Sequence, residues 1–470
     1  MASELLMTTE IYHDICDYLR GLVKDTVWDG HLYAVGGCCR DEVMGLPIKD
    51  LDMAVDLPNG GIGFARWLEQ NGLTTGEVVT FPRFGTARLS LRAFPGDEIE
   101  LVQTRREKYT DRNSRCPETA FGTIEEDCLR RDLTVNSLYF DICRRKFVDI
   151  TGRGLSDIEH HIIRTPSDPD STYDDDPVRI YRTIRFACRF GWRIEPGTFA
   201  GLMRNIHRLS IVTPTRCHTE LERMLTGPRP VEALDMLMRT GAMEYMLPEV
   251  AALRDQPLGG GQPGTVWEHT LEVVGRLEGE GFVMLMAALL HDVGKPQTAG
   301  AGNPGGVRFM NHDQTGSGIT RRIMRRLRCE RPLIDDVDFL VRHHMWASTW
   351  GPDAEKMKDR QLRKLQYVCG TRKRFDMLMR LIDADNCSHA PGYCMPGHVP
   401  AIMRRTSQME EEGTTMFGYH LPLSLAAMKR ARRMRDNKEL KRCREYLIKM
   451  AFANPLRTPA EFKKLLIAFK

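Results

Sequence analysis

The chain lacks an apolar run long enough to cross a bilayer; no stretch of about 18 such residues occurs in its 470 residues. Residues 1–10 carry neither a basic region nor an apolar leader, so no secretory signal is expected. None of its thirteen cysteines forms a Cys-x-x-Cys pair. That argues against a zinc ribbon or a disulfide frame, and for reduced thiols in the cytoplasm. Internal repeats and low-complexity segments are also missing. Charge of one sign is scarce: the formal net charge of +4 is too small to establish a nucleic-acid partner, so distribution matters more than total. What remains is a globular composition, 42% hydrophobic and 28% charged, of a length that suggests about three domains.

One stretch organises the rest. The apolar run Leu32 to Val35 breaks at Gly36-Gly37, and a short amphipathic helix predicted from near Cys38 buries Val43 and Met44. A second strand then carries Asp50 and Asp52. Two glycines between strand and helix let backbone N–H groups approach a phosphate, with the positive end of the helix dipole behind them. Side chains two apart on a strand share a face, so Asp50 and Asp52 present paired carboxylates suited to Mg²⁺. Leu51, Met53 and Val55 are expected on the opposite face. A Gly-Gly pair alone is a turn, and a lone Asp-x-Asp is a solvated strand end. In this order and spacing they read as a nucleotidyl-transfer site.

Gly-Gly-x-x-Arg-Asp at 36–41, followed by Lys-Asp-Leu-Asp at 49–52, resembles the head domain of class II nucleotidyltransferases. That family comprises the CCA-adding tRNA nucleotidyltransferases and the bacterial poly(A) polymerases. The resemblance implies that Asp50 and Asp52 hold Mg²⁺, while Gly36, Gly37, Arg40 and Asp41 shape the triphosphate site. Strand Glu98-Ile-Glu-Leu-Val places Glu98 and Glu100 on one face. That face reads as an exposed acidic surface or, by resemblance, as the third acidic position of the site at Glu100, with Arg105-x-Glu107-x-Tyr109 following at the family's spacing. Residues 110–125 are polar and read as a mobile loop, which the family also has there. In Glu125-Glu-Asp-Cys-Leu-Arg-Arg-Asp-Leu-Thr-Val-Asn, adjacent Arg130, Arg131 and Asp132 resemble the family's ribose-recognition motif, as do Thr134 and Asn136. A guanidinium for triphosphate and a carboxylate for ribose hydroxyls are chemically apt. Residues 147–157, with Asp149, Gly152, Arg153 and Asp157, read as a plain turn or as the family's hinge between head and neck.

Tyr173-Asp-Asp-Asp-Pro-Val-Arg-Ile-Tyr-Arg is the second informative stretch. Pro177 suits a first helical position, which makes Asp176 the expected N-cap. Ile180, Ile184, Ala187 and Cys188 form the expected buried stripe, with Arg179, Arg182, Arg185 and Arg189 towards other faces. These residues read as a cap and a solvated edge or, by resemblance to the family's base-reading motif, as nucleotide contacts from Asp175, Asp176, Arg179 and Arg182. A carboxylate accepts from the exocyclic amine of C or A, which U and G cannot offer at that position. Asp175 stands where many family members have Glu.

Beyond the Gly/Pro-rich linker that begins at Asp255, the pattern changes. His269, His291-Asp292 and Asp385 fall on or at the ends of predicted helices, where imidazole and carboxylate can bind a divalent transition metal. Their order resembles the HD phosphohydrolase domain, with His312 and His344 at auxiliary positions. The resemblance implies Ni²⁺, Mn²⁺, Co²⁺ or Mg²⁺ there, activating a water on a phosphate ester; a purely structural HD fold is the alternative. Residues 401–470 hold sixteen Lys or Arg against seven Asp or Glu. They read as a solvated helix face or an RNA-binding tail.

The reading is a multidomain α/β and all-α protein. Its expected parts are a nucleotidyltransferase head (mixed sheet with helices) at 1–160, a helical neck at 161–254, an HD domain at 255–395 and a basic helical tail at 396–470. By resemblance over residues 30–385, the expected activity is CCA addition to tRNA from CTP and ATP by two-metal nucleotidyl transfer, with an HD phosphohydrolase beside it. Neither a membrane nor DNA is an expected partner. Poly(A) addition and a split CC- or A-adding activity are the alternatives within the class. The strand Pro82-Arg-Phe-Gly-Thr-Ala-Arg-Leu lacks the Lys-Arg-Phe-Arg-type string of the poly(A) polymerases and favours CCA addition. An RNA-binding protein on an inactive transferase scaffold is the alternative outside it.

Overall fold

The computed structural model describes residues 7–108, 118–301, 307–434 and 436–469. Helix α1 (Thr9–Val23) starts where the Thr8 hydroxyl accepts from the Ile11 amide, and its buried stripe is Tyr12, Ile15, Cys16, Leu19 and Val23. The apolar spacing of residues 4–27 reads as helix in the sequence, and the helix ends within it at Val23; residues 4–6 lie outside the described residues. Next come β1 (Leu32–Val35), α2 (Gly37–Val43), β2 (Leu51–Val55), α3 (Gly60–Gln70), β3 (Thr74–Phe81), β4 (Thr86–Leu91) and β5 (Glu98–Gln103). Helix α2 buries Cys38, Cys39, Arg40 and Asp41, whereas Val43 and Met44 are only partly covered. The reason is its approach: Cys38 Sγ lies against Val35 O and Cys39 Sγ against Ala34 O, so the first turn meets the sheet rather than the last.

The head sheet runs β3-β4-β5-β2-β1-β8-β9, where β8 is Tyr139–Asp141 and β9 is Lys146–Val148. Neighbours are antiparallel except β2 and β5, which run parallel with Asp52 opposite Glu100. One face carries the main core, including Leu51, Met53, Val55, Leu89, Ile99 and Leu101. The opposite face has a smaller apolar cluster of Tyr33, Val35, Ala54, Cys128 and Tyr139. Strand alternation puts Asp52 and Glu100 on this second face.

Between β5 and β8 lie β6 (Arg105–Lys108), β7 (Glu118–Phe121) and α4 (Ile124–Leu129). The loop expected over 110–125 is therefore shorter: β7 pairs antiparallel with β6, and Thr123 with Glu126 forms a capping box for α4. Residues 109–117, Tyr109 among them, lie outside the described residues. After β9, Gly152 turns the chain with φ of 63° into α5 (Gly154–Glu159). Thr151 Oγ1 and the Leu155 amide donate to the Asp149 carboxylate there.

β10 (Ile162–Ile163), α6 (Pro169–Asp175), α7 (Val178–Phe190), β11 (Arg193–Ile194), α8 (Pro196–Asn205), α9 (Pro214–Leu225), α10 (Pro230–Thr240) and α11 (Ala242–Met246) follow. Helix α7 starts one residue later than expected. Pro177 is its N-cap, and Asp176 is instead the extended residue that closes α6. Ile180, Ile184, Ala187 and Cys188 are buried as the periodicity requires, but so are Arg179 and Arg185. Arg185 is tolerated inside because its Nε meets the Glu220 carboxylate at 2.6 Å.

Two compact units divide the chain, 1–224 with 235–246 and 225–234 with 247–470. The second contains α12 (Pro248–Ala251), α13 (Val266–Arg276), α14 (Phe282–Leu290), α15 (Lys295–Thr298), β12 (Ala299–Ala301), β13 (Val307–Phe309), α16 (His312–Arg326), α17 (Arg331–His343), α18 (Asp359–Cys369) and α19 (Arg372–Cys387). It ends with α20 (His398–Glu411), α21 (Leu425–Arg432), α22 (Asn437–Ala451) and α23 (Pro459–Ala468). Eight of the nine residues of α14 are buried, as an all-apolar helix demands. The last three helices share their own core, including Met428, Cys443, Leu447, Phe462 and Leu466. Lys438, Lys441, Arg442, Arg444, Lys449 and Lys463 are exposed on them. Arg432 and Arg457 depart from the expected surface role and donate to chain carbonyls of Phe469 and Met450. Arg435 and Lys470 lie outside the described residues.

Phe64 is fully buried, stacked on Trp67 and tilted against Trp28. Phe64→Ala is expected to destabilise the head by about 3–5 kcal/mol, read by urea unfolding with tryptophan fluorescence.

Candidate active sites

Two clusters of titratable side chains are built into the chain, one in each unit. The first begins at Gly36, whose φ of 80° admits only glycine without strain. A Cβ there would sit 3.4 Å from Arg131 Nη1, so that guanidinium lies against the turn. Asp50 precedes β2, Asp52 lies within it, and Glu100 faces Asp52 from β5. These three carboxylates line one cavity of about 280 Å³ together with Leu51, Arg88 and Glu98. Arg88, from β4, meets Glu98 at 2.6 Å and Glu100 at 3.6 Å. Burial, then the neighbouring Glu100 and Asp50 charges, push the Asp52 carboxyl up to about 6 against the pull of Arg131 and Arg88. Three oxygen ligands converging on a cavity where negative charge is disfavoured suit a hard divalent cation.

Behind this cavity Asp127 gathers the arginines. Its Oδ1 accepts from Arg130 Nη2 at 2.5 Å and the Arg105 amide at 3.2 Å, and its Oδ2 accepts from Arg131 Nη2 at 2.9 Å and Tyr139 OH at 2.7 Å. Burial alone would push this carboxyl up, but Arg131 and Arg130 hold it well below the usual carboxylate range. Arg130 also donates to Glu107 at 2.9 Å. Asp132 accepts from Arg182 Nε at 2.7 Å and from Asn136 Nδ2 at 3.1 Å, tying the Arg-Arg-Asp segment to α7. Arg40 and Asp41 are buried and paired with each other at 2.7 Å, with the Arg40 guanidinium over the Phe186 and Phe190 rings. Thr134 Oγ1 donates to Asp157 at 2.7 Å.

The residues with a base-reading resemblance are locked in pairs. Arg179 donates to the carbonyls of Thr172 at 3.1 Å and Arg130 at 2.6 Å. Asp176 accepts a fork from Arg216, Nη1 to Oδ1 at 2.8 Å and Nη2 to Oδ2 at 2.6 Å. Asp175 ends α6 with an exposed side chain; partial desolvation pushes its carboxyl up against the pull of Arg179.

The second cluster is compact and buried. His269 Nδ1, His291 Nδ1, His312 Nδ1 and His344 Nδ1 each lie within hydrogen-bonding distance of a backbone carbonyl, those of Ser388, Ala288, Phe309 and Val341. Donation there leaves every Nε2 facing inward. His269 and His291 Nε2 approach to 3.3 Å, and His312 and His344 Nε2 to 3.2 Å. Two bare imine nitrogens so placed repel unless a proton or a metal ion lies between them. The ligand atoms form two trios, His269 with His291 and Asp385, and Asp292 with His312 and His344. Asp292 faces both: its Oδ2 is 3.2 Å from His291 and its Oδ1 is 3.3 Å from His312. Burial would depress His291, but Asp292 and Asp385 hold it above the usual value, a field that favours positive charge at this place. Burial, then the His291 and His312 charges, push His344 down to about 4. The donor set, neutral imidazoles with two carboxylates, fits divalent transition ions.

Several contributors escaped the sequence reading. Arg88, Asp127 and Tyr139 sit in strands or helices with no motif spacing of their own. Arg216 and Glu220 lie one turn apart, but their partners Asp176 and Arg185 are distant in sequence. Lys295, 2.6 Å from Asp292, follows the His-Asp pair at Val-Gly-Lys, a signal that was available. His389 stacks on His269 with centroids 4.7 Å apart and lies 3.6 Å from Asp385.

Comparison with known proteins first defines a class. Residues 32–164 match the poly A polymerase head domain, residues 191–253 the probable RNA and SrmB-binding site of polymerase A, and residues 265–368 the HD domain. Both the head and the HD domain imply use of divalent metal. The mitochondrial CCA tRNA nucleotidyltransferase of Saccharomyces cerevisiae is 36% identical over 225 residues, 44% of this chain and 40% of that one. The multifunctional CCA protein of Neisseria gonorrhoeae is 32% identical over 323 residues, 67% of this chain and 73% of that one. The chain therefore belongs to the family of CCA tRNA nucleotidyltransferases and multifunctional CCA proteins. It spans only about 40% of the length of the Saccharomyces relative. The Bacillus stearothermophilus CCA-adding enzyme, solved with CTP, shares the fold over 98% of both chains at a TM-score of 0.66 and 18% identity.

Asp52 supplies a pH test. A carboxyl whose folded pKa stands above its unfolded value costs stability as pH rises through about 6, and costs nothing below about 4. Without metal, Asp52→Asn is expected to be more stable than the parent at pH 7.5 by about 1–3 kcal/mol, the gap closing by pH 4. Urea unfolding in EDTA at both pH values measures it.

Proposed function

We propose that the chain is a CCA-adding tRNA nucleotidyltransferase, extending the 3′ end of tRNA by C, C and A from CTP and ATP. The observation that carries this reading is the register of Asp52 against Glu100 on parallel strands, with Asp50 at the same cavity and the Gly36 turn one strand away. Asp50, Asp52 and Glu100 would hold Mg²⁺, which when bound supplies charge neutralisation and activation of the attacking hydroxyl. The chain does the rest. Backbone amides at Gly36 and Gly37 and the Arg131 guanidinium beside them grip the triphosphate. Arg130 and Asp132, fixed by Asp127 and Arg182, orient the nucleotide. Arg40 and Asp41, paired and buried, brace the helix that presents those amides. The RNA 3′-hydroxyl oxygen attacks the α-phosphorus, and pyrophosphate leaves. Asp175, Asp176, Arg179 and Arg182 form the wall that selects the base.

The second unit is proposed as a phosphohydrolase. His269, His291, Asp292 and Asp385, with His312 and His344, would hold Ni²⁺, Mn²⁺, Co²⁺ or Mg²⁺, which when bound activates water on a phosphate ester. The converging Nε2 atoms support it. The exposed cations on α22 and α23 support RNA binding by the tail. The partition 1–160, 161–254, 255–395 and 396–470 is proposed as head, neck, HD domain and tail. No described helix is long and apolar enough to cross a membrane. A reducing compartment, the cytoplasm, is the proposed location, supported by unbridged cysteines among the described residues.

Incubation with a tRNA transcript lacking its 3′ CCA, Mg²⁺ and labelled nucleotides is expected to yield one C-C-A and no further growth. C-C alone or long A tails would instead assign the alternative activities. Asp50→Ala with Asp52→Ala is expected to lower incorporation by about 10³-fold or more, the scale of several kcal/mol of lost transition-state stabilisation. His291→Ala should remove metal-dependent phosphatase activity while incorporation persists. Incorporation that survives the double aspartate change would overturn the role of that pair, and no incorporation at all by the parent would leave the HD centre as the working site.

A further inference from the structure

Asp176 is the carboxylate on which base selection would turn, yet both of its oxygens are already engaged. Arg216, the third residue of α9, forks onto it with two contacts of 2.8 and 2.6 Å. The Val178 amide adds a third donor, 3.3 Å from Oδ1. A carboxylate offers about four acceptor sites, so one remains. The Asp176 side chain is 20% exposed and Arg216 45% exposed, which places the fork at the edge of the nucleotide wall rather than in a core.

We propose that Arg216 is a positioning residue for base selection, which fixes the Asp176 carboxylate so that its one free lone pair faces the exocyclic amine of cytosine or adenine. This rests on the reading of Asp176 as the base-selecting group. The physics is that of a preset acceptor. A carboxylate held at both oxygens cannot rotate, and its remaining lone pair repels the O4 of uracil or the O6 of guanine. Released from the fork, the same carboxylate turns freely and hydrates. A water can then donate to it and to O4 or O6 at once, which removes the repulsion that rejects the wrong base. A bidentate guanidinium is needed for this, because the ammonium of lysine is a point charge that leaves the carboxylate free to swing.

The test compares Arg216→Gln, Arg216→Lys and Asp176→Asn with the full-length parent. CTP and UTP are incorporated singly on tRNA lacking CCA, and ATP and GTP on tRNA ending in C-C. The readout is the ratio of kcat/KM for right over wrong nucleotide, with tRNA Kd and Tm measured alongside. Arg216→Gln is expected to lower both ratios by about 10- to 100-fold, with Arg216→Lys between it and the parent. Ratios that stay at the parent value in Arg216→Gln, or equal loss for all four nucleotides, overturn the proposal. A ratio unchanged in Asp176→Asn would overturn the base-selecting reading as well. Collapse in Asp176→Asn with none in Arg216→Gln overturns the role of Arg216 alone.

Discussion

Two carboxylates on neighbouring strands, Asp52 and Glu100, are held side by side where water is partly excluded. Like charges in that position repel, and the rest of the head is arranged around making the position tenable. Parallel pairing of β2 and β5 fixes the separation, and an otherwise antiparallel sheet supports that one parallel ladder. Arg88 lines the acidic cavity from the next strand, and its charge with that of Arg131 pulls the Asp52 carboxyl down, softening the field without filling the cavity. Arg131 in turn stands where it does because Asp127 and Tyr139 hold it. The uphill ionisation of Asp52 is the measure of what a bound cation would relieve.

The second unit solves a similar problem with different chemistry. There most of the inward-facing donors are imidazole nitrogens set by tautomer, with Asp292 and Asp385 among them. Backbone carbonyls facing four Nδ1 atoms direct four Nε2 lone pairs into one small volume. The helices that carry them are otherwise plain: α14 is apolar on nearly all sides, and His291-Asp292 is simply where it stops.

Much of this was legible in the order of residues. The break at Gly36-Gly37, the alternation around Asp50 and Asp52, and the His-Asp pair after an apolar helix each carry a local physical signature. The mixed sheet followed by helices was readable from where strand-like alternation gives way to helical periodicity. Illegible were the partnerships made at a distance. Nothing near Asp176 announces Arg216, because the two meet only when α9 packs beside the α6–α7 junction. The α7 arginines looked solvent-facing since periodicity treats charge as exposed, whereas Arg185 is buried by an ion pair from another helix. Proline favours the first turn of a helix, but Pro177 stands one residue earlier as the N-cap of α7, and Asp176 before it still accepts from the Val178 amide.

Neither compact unit is a single run of chain. The first needs residues 235–246 after an excursion through 225–234, and the second claims that excursion before it resumes at 247. Tyr181, on α7, reaches back to the carbonyl of Ala242 at 3.5 Å, a contact a chain ended at residue 224 could not make. Any single cut therefore leaves one unit incomplete. The two proposed activities are then tied to each other by chain path, and gene truncation is a poor way to part them; point changes within each cluster are the means by which they separate cleanly.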